Sequence, residues 1–297
     1  MLRTSDLAII KFIRLSNLFD CKNKMGVKMN ILNKKLLISL TALMLTVIGP
    51  ANAEKLTVGM ECTYAPFNFK TADGVLSGYD VDVSKGVAEI LGLELEYVCQ
   101  KWDGMIPALL ANKFDLIIAS MSITDKRKKK IDFSGPYRDS VGQMVARKDL
   151  GRDLFDSAGN PDAAAFKGIK VGLERATTYS DWFEQTLPSA KVVLYDSNEA
   201  LYLDLLNGRT DVIMTNPMKA HLKFLSKDGN DGFELAGPVI DDVAYFGVGV
   251  GIGLRQGQEE LRDNLTGALK TLIKNGSLKE YALKYFPFQI HNDKWAD

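Results

Sequence analysis

IIASMSITDKRKKKID, residues 117–132, is the stretch on which the reading of this chain turns. The short apolar run at residues 114–118 predicts a buried strand. It opens into Ala119-Ser120-Met121-Ser122, small and hydroxylic. Thr124 then stands where a helix N-cap belongs, with Asp125 in the first turn. If Thr124 caps, Arg127 occupies the third helical position and points back toward the strand end. Backbone N–H groups, two hydroxyls and a guanidinium then surround one point. Such a point suits a carboxylate, because a helix N-terminus favours negative charge and arginine grips a carboxylate through two parallel hydrogen bonds. The plainer reading is a serine-rich strand end followed by an ordinary capped helix. The cationic run at 126–130 reads as a solvated helix face and not as a nucleic-acid patch.

Outward from this stretch, the N-terminal part reads as a leader. A basic segment ending in Lys34-Lys35, an apolar run at 36–48 and Ala51-Asn52-Ala53 form a signal peptide over residues 29–53. Residues 1–28 precede a complete leader, which places the expected start at Met29. A long leader or an anchored N-terminus is the rival. The remaining 244 residues carry 29 basic and 35 acidic side chains, a formal net charge of −6. An exported, mildly acidic chain does not fit a nucleic-acid binder. Its length allows one large domain or two modest ones.

Two cysteines survive the leader, Cys62 and Cys99. Each ends an expected strand, 55–60 and 93–98. In an oxidising compartment the pair invites a disulfide if those strands are parallel neighbours; two buried thiols are the alternative. His221 and His291 are remote from both cysteines, and no metal or cofactor is expected.

The rest alternates strand and helix. Helical spacing covers 79–91, stopped by Gly92, then 102–111, with strands at 93–98 and 114–119. A strand at 143–147 leaves that domain, and a second set follows the polar excursion at 151–165: strands at 169–173, 191–195 and 211–214, and helices at 178–185 and 199–207. An extended glycine-rich run at 244–254 crosses back, before helices at 259–275 and 278–285. Repeated β-α-β units predict α/β lobes on parallel sheets, with ligands beyond the strand C-termini. A domain left and re-entered by extended segments implies two lobes and a two-stranded hinge: residues 54–140 and 241–297 in lobe 1, residues 141–240 in lobe 2.

Ordered motifs along the chain carry a resemblance. VGMECTYAPF (58–67), GYDVDV (78–83), WDGMIPAL (102–109), SMSITDKR (120–127), LDLLNGRTD (203–211), GVGIGLR (249–255) and NGSLKEYALKYF (275–286) follow one another in sequence. The chain resembles the periplasmic solute-binding proteins of polar amino-acid ABC transporters, especially lysine/arginine/ornithine, histidine and opine binders. The resemblance implies a type II periplasmic-binding-protein fold, a monomer, a small amino-acid ligand and a membrane permease as partner.

The resemblance also implies roles. Arg127 clamps the ligand α-carboxylate, helped by backbone N–H groups of Ser122 and Thr178. Ser120 and Ser122 take the α-ammonium. Tyr64 and Trp102 sandwich the side chain, and Glu61 faces its far end, where an acid pairs with a basic ligand. Thr177, Thr178 and Asn216 complete the contacts on closure. Asn216 stands where basic amino-acid binders carry an aspartate. With Ala119 and Met121 flanking Ser120, that departure brings opine binders into view, and Arg175, beside Glu174, is then placed to meet a second carboxylate or merely solvent. A dehydratase on the same scaffold, using Glu61 or Glu174 as an acid, is the rival from another class.

Overall fold

The computed structural model describes residues 54–297; the leader expected at 29–53 and the segment before it lie outside the described residues. Strand β1 (Lys55–Met60) leads into a small antiparallel sheet of β2 (Thr63–Tyr64), β3 (Asn68–Lys70) and β4 (Leu76–Ser77). Helix α1 (Tyr79–Leu91) buries Tyr79, Val81, Val83 and Val87, and ends at Gly92 in the left-handed conformation, φ 66°. β5 (Glu94–Cys99) lies parallel to β1. A 3-10 turn over Trp102–Gly104 and a short helix α2 (Met105–Leu110) replace the single helix expected at 102–111. Pro107 sits at the third position of α2, where its missing N–H costs no helical bond. β6 (Leu116–Ile117), α3 (Asp125–Lys128) and β7 (Asp132–Arg138) complete the first pass.

The second lobe runs through β8 (Gly142–Arg147), β9 (Lys170–Glu174), α4 (Thr178–Thr186), β10 (Lys191–Tyr195), α5 (Asn198–Leu206), β11 (Val212–Thr215), α6 (Pro217–Ala220) and β12 (Phe233–Ile240). The chain returns through α7 (Val243–Phe246) and β13 (Val250–Leu254), and closes with α8 (Glu259–Lys274) and α9 (Ser277–Leu283). The sheets are ordered β5-β1-β6-β13-β7 and β10-β9-β11-β8-β12.

Both sheets are parallel-rich, each with one internal strand running the other way. β13 is antiparallel to β6 and β7, and β8 is antiparallel to β11 and β12. These are the strands that enter from the opposite lobe, so they start at the edge where their neighbours end. The run at 244–254 is therefore not one extended segment. Asp242 caps α7 by accepting from Ala244 N at 2.9 Å, and Gly247, φ 70°, turns the chain before β13. A side chain at Gly247 would strike the carbonyl of Ile123, immediately before the Thr124 cap.

The expected strand neighbours carry the two cysteines. Met60 faces Cys99 across the parallel pair β1/β5, and Cys62 is bonded to Cys99 with Cα atoms 5.6 Å apart. The bond ties the loop after β1, which carries Glu61 and Tyr64, to the neighbouring strand. Apolar residues cover both faces of the first sheet: Val58, Leu116, Leu269 and Leu272 belong to one cluster, and Met105, Leu109, Phe114 and Ile117 to another.

Candidate functional site

Thr124 caps α3 by accepting from Arg127 N at 3.3 Å, which sets Arg127 at the helix's third position. The guanidinium is buried. It donates to the Ser122 carbonyl at 3.0 Å within its own lobe, and to the Ala176 carbonyl of the other lobe at 3.4 Å. Trp102 Nε1 donates to the same Ala176 carbonyl at 3.1 Å, and Lys126 pairs with Asp181 at 2.7 Å. The two lobes thus meet across the cleft. Ser120 and Ala176, on opposite walls, both sit in the left-handed region, at φ 55° and 60°. Such non-glycine conformations are costly and persist where the surroundings hold them.

Glu61, Tyr64, Trp102, Ala119, Ser120, Ser122, Arg127, Glu174, Thr177 and Thr178 line one cavity between the lobes. Thr177 caps α4, accepting from Ser180 N at 3.2 Å. The first N–H groups of α4, Thr178 included, have no partner within the helix and suit an anionic group. The Ser122 hydroxyl bonds that of Ser140 at 2.7 Å.

Three expected residues do not line this cavity. Met121 packs into the apolar cluster with Met105 and Ile117. Arg175 turns away and pairs with the exposed Asp196. Asn216 is buried, and its Oδ1 caps α6 by accepting from Met218 N at 3.0 Å and Lys219 N at 3.2 Å. An asparagine immediately before Pro217 reads equally well as a cap, which is the role the backbone imposes.

Residues not singled out in the sequence supply the rest. Arg138, Ser140, Val141 and Tyr179 also line the cavity. Arg138 and Ser140 come from the end of β7 and the crossing segment, whose path to the cleft depends on the sheet order. Asp80, in the first turn of α1, organises the floor. Its carboxylate accepts from Asn68 Nδ2 at 2.7 Å, Ser120 Oγ at 2.8 Å and the Tyr137 hydroxyl at 2.8 Å. Asn68 Oδ1 in turn accepts from the Glu61 and Cys62 backbone N–H groups, each at 3.0 Å. One buried carboxylate therefore positions the ends of both β1 and β6. Burial raises the Asp80 carboxyl above its ordinary value, opposed by Arg138 and by the hydrogen bonds from Asn68, Ser120 and Tyr137.

The far end of the cavity is acidic. Burial raises the Glu61 carboxyl, while Lys219 and the Thr63 hydroxyl, 3.1 Å away, oppose the rise. Burial, then the charge of Glu61, pushes Glu174 from 4.5 up to about 8, against Lys219 and the bond from Asn198 Nδ2. Glu174 Oε1 has no hydrogen-bond partner among the described residues. Because the folded value lies above the unfolded one, folded protein keeps a proton that the unfolded chain releases between pH 4.5 and about 8. Stability falls as pH rises through that window, by about 1.4 kcal/mol per pH unit while one proton is held, and levels off above it. Glu174→Gln is expected to flatten this slope in urea unfolding between pH 5 and 9. An unchanged slope would assign the proton to another group.

Two parallel-rich lobes closing on a cleft with a buried guanidinium at its centre define a two-lobe solute-binding protein. Residues 56–288 match the bacterial extracellular solute-binding proteins, family 3, and the chain belongs to that family. It is 36% identical to the L-arginine-binding protein of Pseudomonas aeruginosa, over 79% of this chain and 88% of that one. It is 32% identical to the histidine-binding periplasmic protein of Salmonella typhimurium, over 87% of this chain and 99% of that one. A solved Salmonella typhimurium periplasmic binding protein described for its high arginine specificity superposes with a TM-score of 0.70 at 30% identity, covering 79% of this chain and all of that one.

Proposed function

We propose that this protein is the periplasmic substrate-binding component of an amino-acid ABC importer. It captures an amino acid of the arginine, lysine, ornithine and histidine class and delivers it to a membrane permease. The observation that carries this reading is Arg127. It is buried in the cleft, capped into place by Thr124, and held between carbonyls of both lobes. A ligand carboxylate bound there gains contacts from α4 only when the lobes are together, so ligand shifts the population toward the closed form. Glu61 and Glu174 at the other end supply acceptors for ammonium groups of the ligand. The relatives named for arginine and histidine support the same class. In this reading residues 54–140 and 241–297 form one lobe, residues 141–240 the other, and residues 29–53 the exported chain's leader.

The test is a thermal-shift screen against amino acids and opines, after unfolding and refolding to strip carried-over ligand. A ligand that binds only the native state raises the melting temperature by mass action. A shift with members of the class supports the reading; shifts with opines alone reject it. A second reading, turnover on the same fold, draws on the proton held by Glu174 in the cleft. Incubation with prephenate or arogenate tests it, and no product is expected.

A further inference from the structure

Lys219 is a buried ammonium that the cleft's expected roles leave unexplained. It projects from α6, in the second lobe, and its Nζ has no hydrogen-bond partner among the described residues. Nζ lies 3.9 Å from the centre of the Tyr64 ring, which belongs to the first lobe and lines the cavity. A cation that close to the centroid stands over the ring face, the surface on which a ligand's side-chain cation would otherwise stack. Glu61 and Glu174, the acids at the far end of the cavity, both attract the Lys219 charge, while burial works against it. The exposed Glu199 adds a weaker attraction. Among the described residues neither cavity acid has another cation as partner: Glu61 accepts from Thr63, and Glu174 from Asn198.

We infer that Lys219 stands in for the ligand's side-chain cation and is the residue that sets specificity at the far end of the cleft. It occupies the Tyr64 face and offsets, from within the protein, the charge of Glu61 and, once it loses its proton, that of Glu174. A ligand carrying a permanent cation, such as arginine, lysine or ornithine, brings a second positive charge into the same poorly screened space. A ligand with a polar but uncharged side chain does not. Within the class proposed above, on which this inference rests, histidine with a neutral imidazole is the favoured member. The α-carboxylate and α-ammonium are served by Arg127 and by the serines and acids around the cavity in either case.

The test is isothermal titration calorimetry with histidine and arginine at pH 8, where a histidine imidazole of pKa ~6.5 is neutral. It uses ligand-stripped wild-type protein and the variants Lys219→Met and Lys219→Gln. Methionine keeps the length of the side chain and removes the charge; because removing one partner of a buried charge cluster costs stability, a cooperative melt of each variant shows that it is folded before it is titrated. The wild type is expected to bind histidine more tightly than arginine by about tenfold, the effect of one like charge in a buried site. Both variants are expected to tighten arginine by about tenfold while histidine changes by less than about threefold. A wild type that prefers arginine, with no tightening in either variant, overturns the inference and leaves the amino-acid reading intact. Equal weakening of both ligands overturns it too, because that is the signature of Lys219 merely bracing Tyr64. No binding of either ligand by any form, with a cooperative melt showing folded protein, overturns the amino-acid reading and this inference with it.

Discussion

Arg127→Met is expected to lower the affinity of the cleft for its amino acid by about 30-fold to several thousandfold, the effect of removing one partner from a buried, hydrogen-bonded charge pair. The guanidinium is buried and surrendered to two carbonyls, so its position is set before ligand arrives. Burial lowers its pKa from 12.5 to about 10, opposed by the charge of Asp181, and it remains a cation at neutral pH. The ligand carboxylate loses its bidentate partner in the variant and keeps only the N–H groups of Ser122 and of α4. Arg127→Lys separates charge from shape: lysine restores a point charge without the planar fork, so an intermediate loss is expected. Titration calorimetry on the two variants measures this. A loss below about threefold in Arg127→Met would place the carboxylate elsewhere in the cleft.

The second large effect falls on stability. Asp80→Ala is expected to cost about 3–5 kcal/mol, because it strips a buried, multiply hydrogen-bonded carboxylate from its partners. Asn68 Nδ2, Ser120 Oγ and the Tyr137 hydroxyl all lose their acceptor, and Arg138 loses the opposite charge it faces. For a protein of this size the melting temperature should fall by about 10 °C. The binding site should loosen as well, since Asp80 fixes Ser120 directly and the Glu61 backbone through Asn68. Asp80→Asn distinguishes charge from shape: it keeps the volume but presents donors to Asn68, Ser120 and Tyr137. Thermal unfolding of both variants, with and without ligand, reads the two effects. A melting temperature unchanged in Asp80→Ala would mean that water or a shift of Tyr137 replaces the carboxylate.

Much of the site was legible because its parts are built from neighbours in sequence. The Thr124 cap and the position of Arg127 follow from a four-residue pattern, and Thr177 before α4 is the same device in the other lobe. Gly92 ends α1 for a reason that needs only the local backbone. Other expected residues do not line the cavity, because local patterns cannot aim a side chain. Arg175 neighbours the cleft in sequence yet turns to Asp196 outside it. Asn216 is spent on capping α6, a role in competition with ligand binding that only the course of α6 reveals. Arg138 and Ser140 were passed over because β7 was not read as a strand, and its register against β13 is what carries them to the cavity wall.

The sequence by itself determined the α/β alternation, the caps that aim helix N-termini at one edge, the neighbouring strand ends that bear Cys62 and Cys99, and the central place of Arg127. Periodicity, capping and turn chemistry act over a few residues, so they are written locally. The tertiary structure decided the direction of β8 and β13, the hub at Asp80, and the meeting of Lys219 with Tyr64 across the lobes. Those depend on contacts between residues forty or more positions apart in the chain. A buried charge finds its partner only when such distant segments are brought together, and no local pattern encodes where that happens.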